Sequence, residues 1–372
     1  MSKLTKYKFS DLYEMSSGIS SSKEQAGHGS PFISFSTVFN NYFLPEELPD
    51  LMDTSLKEQE IFSVKKDDVF ITRTSETVDA LAMSCVAVKD YPKATFSGFV
   101  KRLRPKTTGI VYSKYIAFFL RSKYFRKVLD CNTIMTLRAS FNEDMFSFLY
   151  LYLPDYEEQV RIGDLLYKME MKIRTNNKIN DNLEQQMHLI FENMMAKAAT
   201  HKLSGEYTIA QNLTTVVTGK EDANFSVPNG KYKFFTCSNT PLSCDEYVFD
   251  SSSILIAGNG DFNVKHYSGK FNAYQRTYVL TPDKKYFGLL YLASLYRINS
   301  FKSRSSGSIV KFITKSDVEN IPVFIPNDRF YLQELNKLIY LQEQNKLENE
   351  LLVNLRDWLL PMLMNGQATI SD

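Results

Sequence analysis

Groups that hold metals or run redox chemistry are scarce in this chain. Its 372 residues contain four cysteines, Cys85, Cys131, Cys237 and Cys244, and four histidines, His28, His188, His201 and His266. No Cys-x-x-Cys pair or histidine cluster occurs, so neither a metal site nor a disulfide framework is expected, which suits a reducing, cytoplasmic setting. Cofactor loops are missing too. The Gly-Lys pairs at Gly219, Gly230 and Gly269 are never followed by Ser or Thr, so no phosphate-binding loop is encoded. An Asp/Asn-Pro-Pro-aromatic motif, which amino-methyltransferases need, is likewise absent. The longest apolar runs, "FSFLYLYL" and "FGLLYLASLY", fall well short of the ~20 residues that span a bilayer. The first residues, "MSKLTKYKFSDLYEM", have no apolar run of the kind a secretory signal requires, so no membrane association is expected.

The net charge is only +2. Binding to a polyanion would have to come from local patches rather than bulk charge. What is plentiful is apolar surface: 44% hydrophobic and 13% aromatic residues exclude global disorder, and 372 residues suit two domains or a repeated pair.

A repeat supplies the organisation. Residues 151–162, "LYLPDYEEQVRI", and residues 323–335, "VFIPNDRFYLQEL", both run from an apolar stretch through proline and a polar turn into a helical pattern. After Pro154, Asp155 is placed to cap a helix, with Glu158 completing a capping box. Apolar positions then recur at Ile162, Leu166, Met169, Ile173, Leu183, Met187, Ile190 and Met194, with Asn176 and Asn180 in the same register. The alternating steps of three and four are the coiled-coil period. A helix of roughly 40 residues at 1.5 Å each would be about 60 Å long. The second copy places Leu338, Leu341, Asn345, Glu348, Leu352, Leu355, Leu359 and Met362 in a matching seam, polar at its middle. Two long helices with corresponding polar layers are expected to pack together, antiparallel if a pseudo-twofold relates the halves.

Weaker matches precede each helix. "DDVFITRTS" (67–75) aligns with "SSILIAGNG" (252–260), "YIAFFL" with "YLASLY", and "NEDMFSFLYLYLP" with "KSDVENIPVFIP". The expected fold class is α+β: two pseudo-repeated mixed α/β globular domains, residues 1–152 and 201–324, separated by two long helices, residues 153–200 and 325–372, that form an antiparallel coiled coil.

This order resembles the specificity subunit of type I restriction-modification systems. Leu153, Pro154, Glu158, Gln159 and Ile162 match that family's junction of Leu-Pro followed by Glu-Gln and an aliphatic residue. The second junction departs from it: Ile325 and Pro326 are present, while Gln333 and Glu334 stand in inverted order. The resemblance implies two target-recognition domains on double-stranded DNA, one half-site each, and no catalysis by the chain itself. It also implies that the helices dock methyltransferase (modification) subunits, which restriction (motor and nuclease) subunits join.

Residue chemistry read without the family leans toward DNA. Lys101, Arg102, Arg104 and Lys106 cluster, followed by Lys114, Arg121, Lys123, Arg126 and Lys127. In the second half Lys265, His266, Lys270, Gln275 and Arg276 lie in an acid-free stretch, with Lys302, Arg304 and Lys311 further on. Arg73, Thr74 and Ser75 follow an expected strand, where loop residues usually project. Cations position a protein on phosphates, while Arg, Asn and Gln read base edges. Candidate contacts are therefore Arg73, Thr74, Ser75, Lys101, Arg102, Lys265, His266, Gln275, Arg276 and Arg304. The competing class is a coiled-coil scaffold whose globular domains bind proteins. An imitation of a nuclease signature, Pro154-Asp155 with Glu170-Met171-Lys172, puts its acids some 22 Å apart along one helix and is read as coincidence.

With no nucleophile, cofactor loop or metal cluster in the sequence, the purified chain should transfer no methyl group from S-adenosylmethionine to DNA and cut none. Radiolabelled methyl transfer by contaminant-free protein would contradict this.

Overall fold

The computed structural model describes residues 3–75, 80–132, 139–260, 262–304 and 312–370, with the side chains of residues 132, 139 and 301–304 outside that description. The chain forms two compact units: Met1–Ile173 with Glu350–Asp372, and Arg174–Asn349.

The first unit is built on a four-stranded antiparallel sheet in the order Tyr13–Ser17, Val100–Pro105, Val69–Thr72, Ser84–Val86. Val69–Thr72 is apolar except at its end and buried throughout, as a central strand covered on both faces must be. One side packs on the helix Ser113–Phe119, which is buried at nearly every position, and on Ile162 and Leu166 of the first long helix. The other packs on a smaller cluster around Phe70, Phe96 and Val38.

The second unit has a six-stranded mixed sheet in the order Val216–Thr218, Thr277–Leu280, Phe249–Ala257, Val264–Ala273, Tyr232–Phe235, Leu242–Cys244. Its core gathers Leu289, Leu290 and Leu292 of the helix Phe287–Arg304 against Leu183, Met187, Leu335 and Leu338 of the two long helices.

The halves repeat at the level of hydrogen-bond register. In the first unit Val69, Phe70, Ile71 and Thr72 pair with Leu103, Arg102, Lys101 and Val100. In the second, Ile254, Leu255, Ile256 and Ala257 pair with Leu280, Val279, Tyr278 and Thr277 in the same order. The next strand continues the match, Val86 standing opposite Val69 as His266 stands opposite Ile254.

Two helices run out of these sheets, Tyr156–Ala199 of 44 residues and Arg329–Met364 of 36. Each follows a strand ending at or beside proline, Tyr150–Leu153 or Pro322–Pro326, and that strand pairs with the first strand of its half. Asp155 caps the first helix by accepting from Glu158 N at 2.8 Å. The capping box is not completed. The Glu158 carboxylate accepts instead from Arg161 at 3.0 Å and from Ile370 N at 3.3 Å, because the segment after the second helix packs there.

The helices pair antiparallel in each unit. In the first, Glu158 meets Ile370 and Glu170 lies 3.2 Å from Arg356. In the second, Asn176 donates to Glu348 at 2.8 Å and to Asn349 at 2.9 Å, while Asn345 donates to the Asn180 side chain at 2.9 Å. On the first helix Ile162, Leu166, Asn176, Asn180, Leu183 and Met187 are buried, with Met169 and Ile173 half-buried. The second helix corrects the expected seam. Leu338 is buried and Leu352, Asn345 and Glu348 are half-buried, but Leu341 and Leu355 are exposed. At those turns the inward residues are Gln342, Asn349 and Arg356, seven apart. The sequence pattern followed leucine. The facing helix offers the Asn180 carbonyl to Gln342 (3.0 Å), Asn177 to Asn349 (2.8 Å) and Glu170 to Arg356 (3.2 Å). At Asn180, where the bond is buried, an acceptor left without its donor would cost ~1–3 kcal/mol.

An amide on each long helix fastens the adjoining domain. Gln159 is buried; its Oε1 accepts from Tyr112 N at 3.0 Å, ahead of the helix Ser113–Phe119, and its Nε2 donates to the carbonyls of Ile110 and Pro154, both at 3.0 Å. Asn336 does the same in the second unit, accepting from Gly288 N at 2.8 Å and donating to Lys285 O at 2.9 Å. Glycine lets the backbones approach. A Cβ on Gly163 would lie 2.7 Å from Tyr115 N, and one on Gly288 would lie 2.9 Å from Leu335 C.

Gln159→Leu keeps the volume but orphans one buried N–H and two carbonyls, so it should cost about 2–4 kcal/mol in urea unfolding. A loss under about 0.5 kcal/mol would mean that the clamp contributes nothing.

Candidate nucleic-acid interface

The exposed end of the central strand pair is built twice on one backbone frame. In the first unit Arg73 N donates to Phe99 O at 2.9 Å, and Arg73 O accepts from Phe141 N at 2.8 Å. In the second, Gly258 N donates to Arg276 O and Gly258 O accepts from Ile313 N, both at 2.8 Å. The adjoining turns match as well: Val100 N to Ser97 O (2.9 Å) against Thr277 N to Tyr274 O (2.8 Å), and Gly98 N to Ile19 O (2.7 Å) against Gln275 N to Glu221 O (2.9 Å). Arg73 therefore stands where Gly258 stands, and Phe99 where Arg276 stands.

The frame is shared; the side chains differ. At the first tip Arg73 is exposed, with Thr74 and Ser75 half-buried on a short strand paired to Ala139–Ser140. At the second, Gln275 and Arg276 are exposed and border a groove of about 430 Å³ with Gly258, Phe312, Thr314 and Lys315. Backbone bonds hold these loops, so the exposed Arg73, Gln275 and Arg276 present a guanidinium, an amide and a guanidinium to solvent, groups that suit base edges or phosphates.

Other candidates lie inside. Lys101 and Arg102 are buried in the strand Val100–Pro105. Lys101 Nζ donates to Ser17 Oγ at 2.7 Å, and Arg102 donates to Ser63 O at 2.6 Å with its guanidinium 5.3 Å from the Phe96 ring centre. Burial lowers the pKa of both. In the second unit the places of Lys101 and Arg102 are taken by Tyr278 and the fully buried Val279. Arg104 makes a two-pronged bond to the buried Asp68, each contact 2.7 Å, which raises its pKa. Arg121 donates to the carbonyls of Ser84, Val38, Phe39 and Asn41, and Arg126 to those of Leu81, Ala82 and Leu120. Lys114 pairs with Asp164 of the long helix at 2.8 Å. The basic run expected as a surface patch is thus largely internal bracing. Sequence alone gives both the same appearance, because the accepting carbonyls lie far along the chain, 39 residues from Arg102 at Ser63 and 83 from Arg121 at Val38.

His266 is also interior. Its Nδ1 sits 3.1 Å from Glu343 and its Nε2 3.3 Å from Gln342, with the ring edge-on to Tyr291. It occupies the register of Val86, a core position in the first unit. Lys265 is half-buried, donating to the carbonyls of Thr236 and Ser238, and burial lowers its pKa. The side chain of Arg304, like those of Lys302 and Lys311, lies outside the described residues.

Sequence reasoning passed over two features. One is the exposed phenylalanine beside each tip, Phe99 and Phe312. The other is an exposed stripe on the second helix within the first unit, Leu351, Leu355 and Trp358, at steps of four and three. The lone tryptophan at helical spacing from two leucines was the available signal, but it was masked by assigning Leu355 to the seam. Asp155 and Glu170, the two acids of the nuclease imitation, are a helix cap and an ion-pair partner. Among the described residues no group of three or more His, Cys, Asp or Glu is placed to hold a metal, and no helix is long and apolar enough to cross a membrane.

The family model for the type I restriction modification DNA specificity domain matches residues 1–185 and 214–354. Curated relatives include the type I restriction enzyme EcoDI specificity subunit of Escherichia coli, 36% identical over 164 residues, which are 42% of this chain and 37% of that protein. The HindI specificity subunit of Haemophilus influenzae is 27% identical over 165 residues, 43% of this chain and 34% of that protein. The aligned part therefore spans little more than a third of these relatives' length. The crystal structure of a type I restriction-modification S subunit from M. genitalium superposes with a TM-score of 0.65 at 16% identity, covering 97% of this chain and 96% of that one, which establishes the shared fold.

Removing an internal cation should differ sharply from removing a tip cation. Arg102→Ala removes one of the two arginine donors to Ser63 O, Arg104 keeping the other at 2.9 Å, and leaves a cavity beside Phe96, so it should cost about 2–4 kcal/mol in urea unfolding. Arg276→Ala should stay within about 0.5 kcal/mol of the parent, as for an exposed residue. Equal losses would place both arginines in the same role.

Proposed function

The chain belongs to the type I restriction-modification DNA specificity family, and on that premise we propose that it reads double-stranded DNA for a methyltransferase and restriction complex while performing no chemistry itself. The observation that carries this reading is the tip built twice on one backbone frame with different exposed side chains. A reader of two unequal half-sites needs that combination: equal presentation and unequal letters. In this reading residues 1–152 and 201–324 are the recognition domains, one half-site each. The helices in 153–200 and 325–372 set the gap between half-sites.

Contacts come from Arg73, Thr74 and Ser75 in the first domain and from Gln275 and Arg276 in the second, with Lys265 oriented by its carbonyl bonds. Arg to guanine and Gln to adenine are the pairings their geometry favours. Methyltransferase subunits dock on the helices, and Leu351, Leu355 and Trp358 supply an apolar stripe suited to a partner helix. Restriction subunits join through that assembly, and the complex acts in the cytoplasm. The internal bracing of Arg102, Arg104, Arg121 and Arg126 gives rigid loops, which positions base-reading groups better than a flexible basic patch would.

Selection of bound duplexes from a random pool, by the chain with its methyltransferase subunits, should return two short half-sites around an unspecified gap. Arg73→Ala should relax one position in the first half-site only and Arg276→Ala one in the second, each by ~1–3 kcal/mol. Inserting one heptad into both helices keeps the packing phase and adds ~10 Å, so the gap should grow by about three base pairs. Selection of no common sequence, with affinity indifferent to salt, would favour a protein-binding scaffold instead.

A further inference from the structure

Phe99 and Phe312 are 66% and 65% exposed and belong to none of the apolar clusters of their units. A phenylalanine left in water forgoes ~1.5–3 kcal/mol of burial. Solvent-facing rings are ordinary when scattered, but these two flank equivalent points of one frame. Phe99 forms the turn at the first tip. Its carbonyl accepts from Arg73 N at 2.9 Å, and its own N donates to Ser97 Oγ at 3.2 Å, so backbone bonds hold the residue while the ring projects. Phe312 precedes Ile313, whose N and O are bonded to Gly258 O and to the Tyr278 hydroxyl, both at 2.8 Å, and it borders the groove with Gln275 and Arg276.

The positions are not inherited from a common residue. Phe99 stands in the place of Arg276, and Arg73 in the place of Gly258. Phe312 comes from a third segment. The two tips thus arrive at one exposed arginine beside one exposed phenylalanine by different routes. Recurrence of the chemistry without recurrence of the position indicates a shared task.

We propose that each ring makes apolar contact with the 5-methyl group of a thymine, in the half-site read by its own unit. This rests on the DNA-reading role proposed above. The polar members of the tips, guanidinium, hydroxyl and amide, suit the donor and acceptor pattern of the major groove. The apolar feature that base pairs show there is the thymine methyl, and phenylalanine is one of its partners. Because the arginine follows the central strand at the first tip and precedes the neighbouring strand at the second, with the phenylalanine from a different segment each time, the thymine lies in a different order relative to the arginine-read base in the two half-sites.

The test uses the full chain with its methyltransferase subunits and the duplex obtained by selection, replacing each thymine in turn by deoxyuridine. Wild type should lose about fourfold in affinity at one thymine per half-site, the equivalent of one buried methyl. Phe99→Ala should abolish the sensitivity in the first half-site only, and Phe312→Ala in the second only. Urea unfolding should show both variants as stable as the parent, and Phe→Leu should retain part of the effect. Wild-type binding that ignores every uridine replacement, or variants as sensitive as the parent, would overturn the proposal. So would half-sites without thymine on either strand. A phenylalanine-dependent rise in 2-aminopurine fluorescence without a uridine effect would overturn it as well, since the ring would then be unstacking bases. Absence of any sequence preference in the parent protein would overturn the DNA-reading role itself, a result distinct from the others.

Discussion

Within the unit Arg174–Asn349 the two long helices are locked together by a seam of amides. Asn176 is fully buried and donates to Glu348 and Asn349; Asn180 accepts from Asn345 on its side chain and from Gln342 on its backbone. Apolar seams tolerate slippage because one leucine replaces another. Amide seams do not. A shift by one heptad would bring Asn180 level with Leu338 or Leu352, leaving buried donors and acceptors unpaired at ~1–3 kcal/mol each. The arrangement is not free of cost, since Asn176 Oδ1 is buried with no partner among the described residues. Polar seam residues trade stability for register in this way.

Register at the seam propagates outward because each helix is bolted to its domain by a side-chain amide and a glycine contact. Gln159 and Asn336 both place a carbonyl oxygen on a backbone N–H at the start of a domain helix, although they sit at different turns of their helices. In the first unit the glycine is on the long helix, at Gly163, and in the second it is on the domain helix, at Gly288. The same packing problem has been solved from either side of the interface. This accounts for the inverted Gln333-Glu334 pair at the second junction: Asn336 performs the fastening, while Glu334 pairs with Lys337 at 3.2 Å.

Legibility in the sequence followed the physics of each region. The first helix was readable because its inward residues are apolar or asparagine at regular spacing, from Ile162 to Met187. The second was misread at alternate turns, since Gln342, Asn349 and Arg356 face inward while Leu341 and Leu355 face out. Periodicity arguments assume that burial selects apolar residues, and here hydrogen-bond partners on the opposing helix overrule that rule. The strand match of 67–75 to 252–260 was readable because each contains a short, fully buried apolar run, residues 69–71 and 254–257. The basic cluster failed for the converse reason. Arg102 sits at a place where the second unit has Val279, and nothing local in "VKRLRP" announces that Ser63 will supply a carbonyl from 39 residues away.

The misreading carries a lesson about where variation is allowed. Inside the frame, one half solves a core position with arginine and carbonyls and the other with valine, yet four consecutive residue pairs of the strand pair keep the same register. The frame is therefore specified by backbone bonds and packing volume more than by residue type, which lets the two tips carry different side chains. Arg73 stands in place of Gly258, and Phe99 in place of Arg276, while backbone N–H and C=O make the same bonds at those sites. The second tip is nonetheless fitted to glycine, since a Cβ on Gly258 would lie 2.6 Å from Arg276 O. A scaffold whose loop geometry rests mainly on backbone bonds can present different letters on one frame. Binding groups placed on loops and held by rigid strands have that property in general, and here it is built twice in one chain.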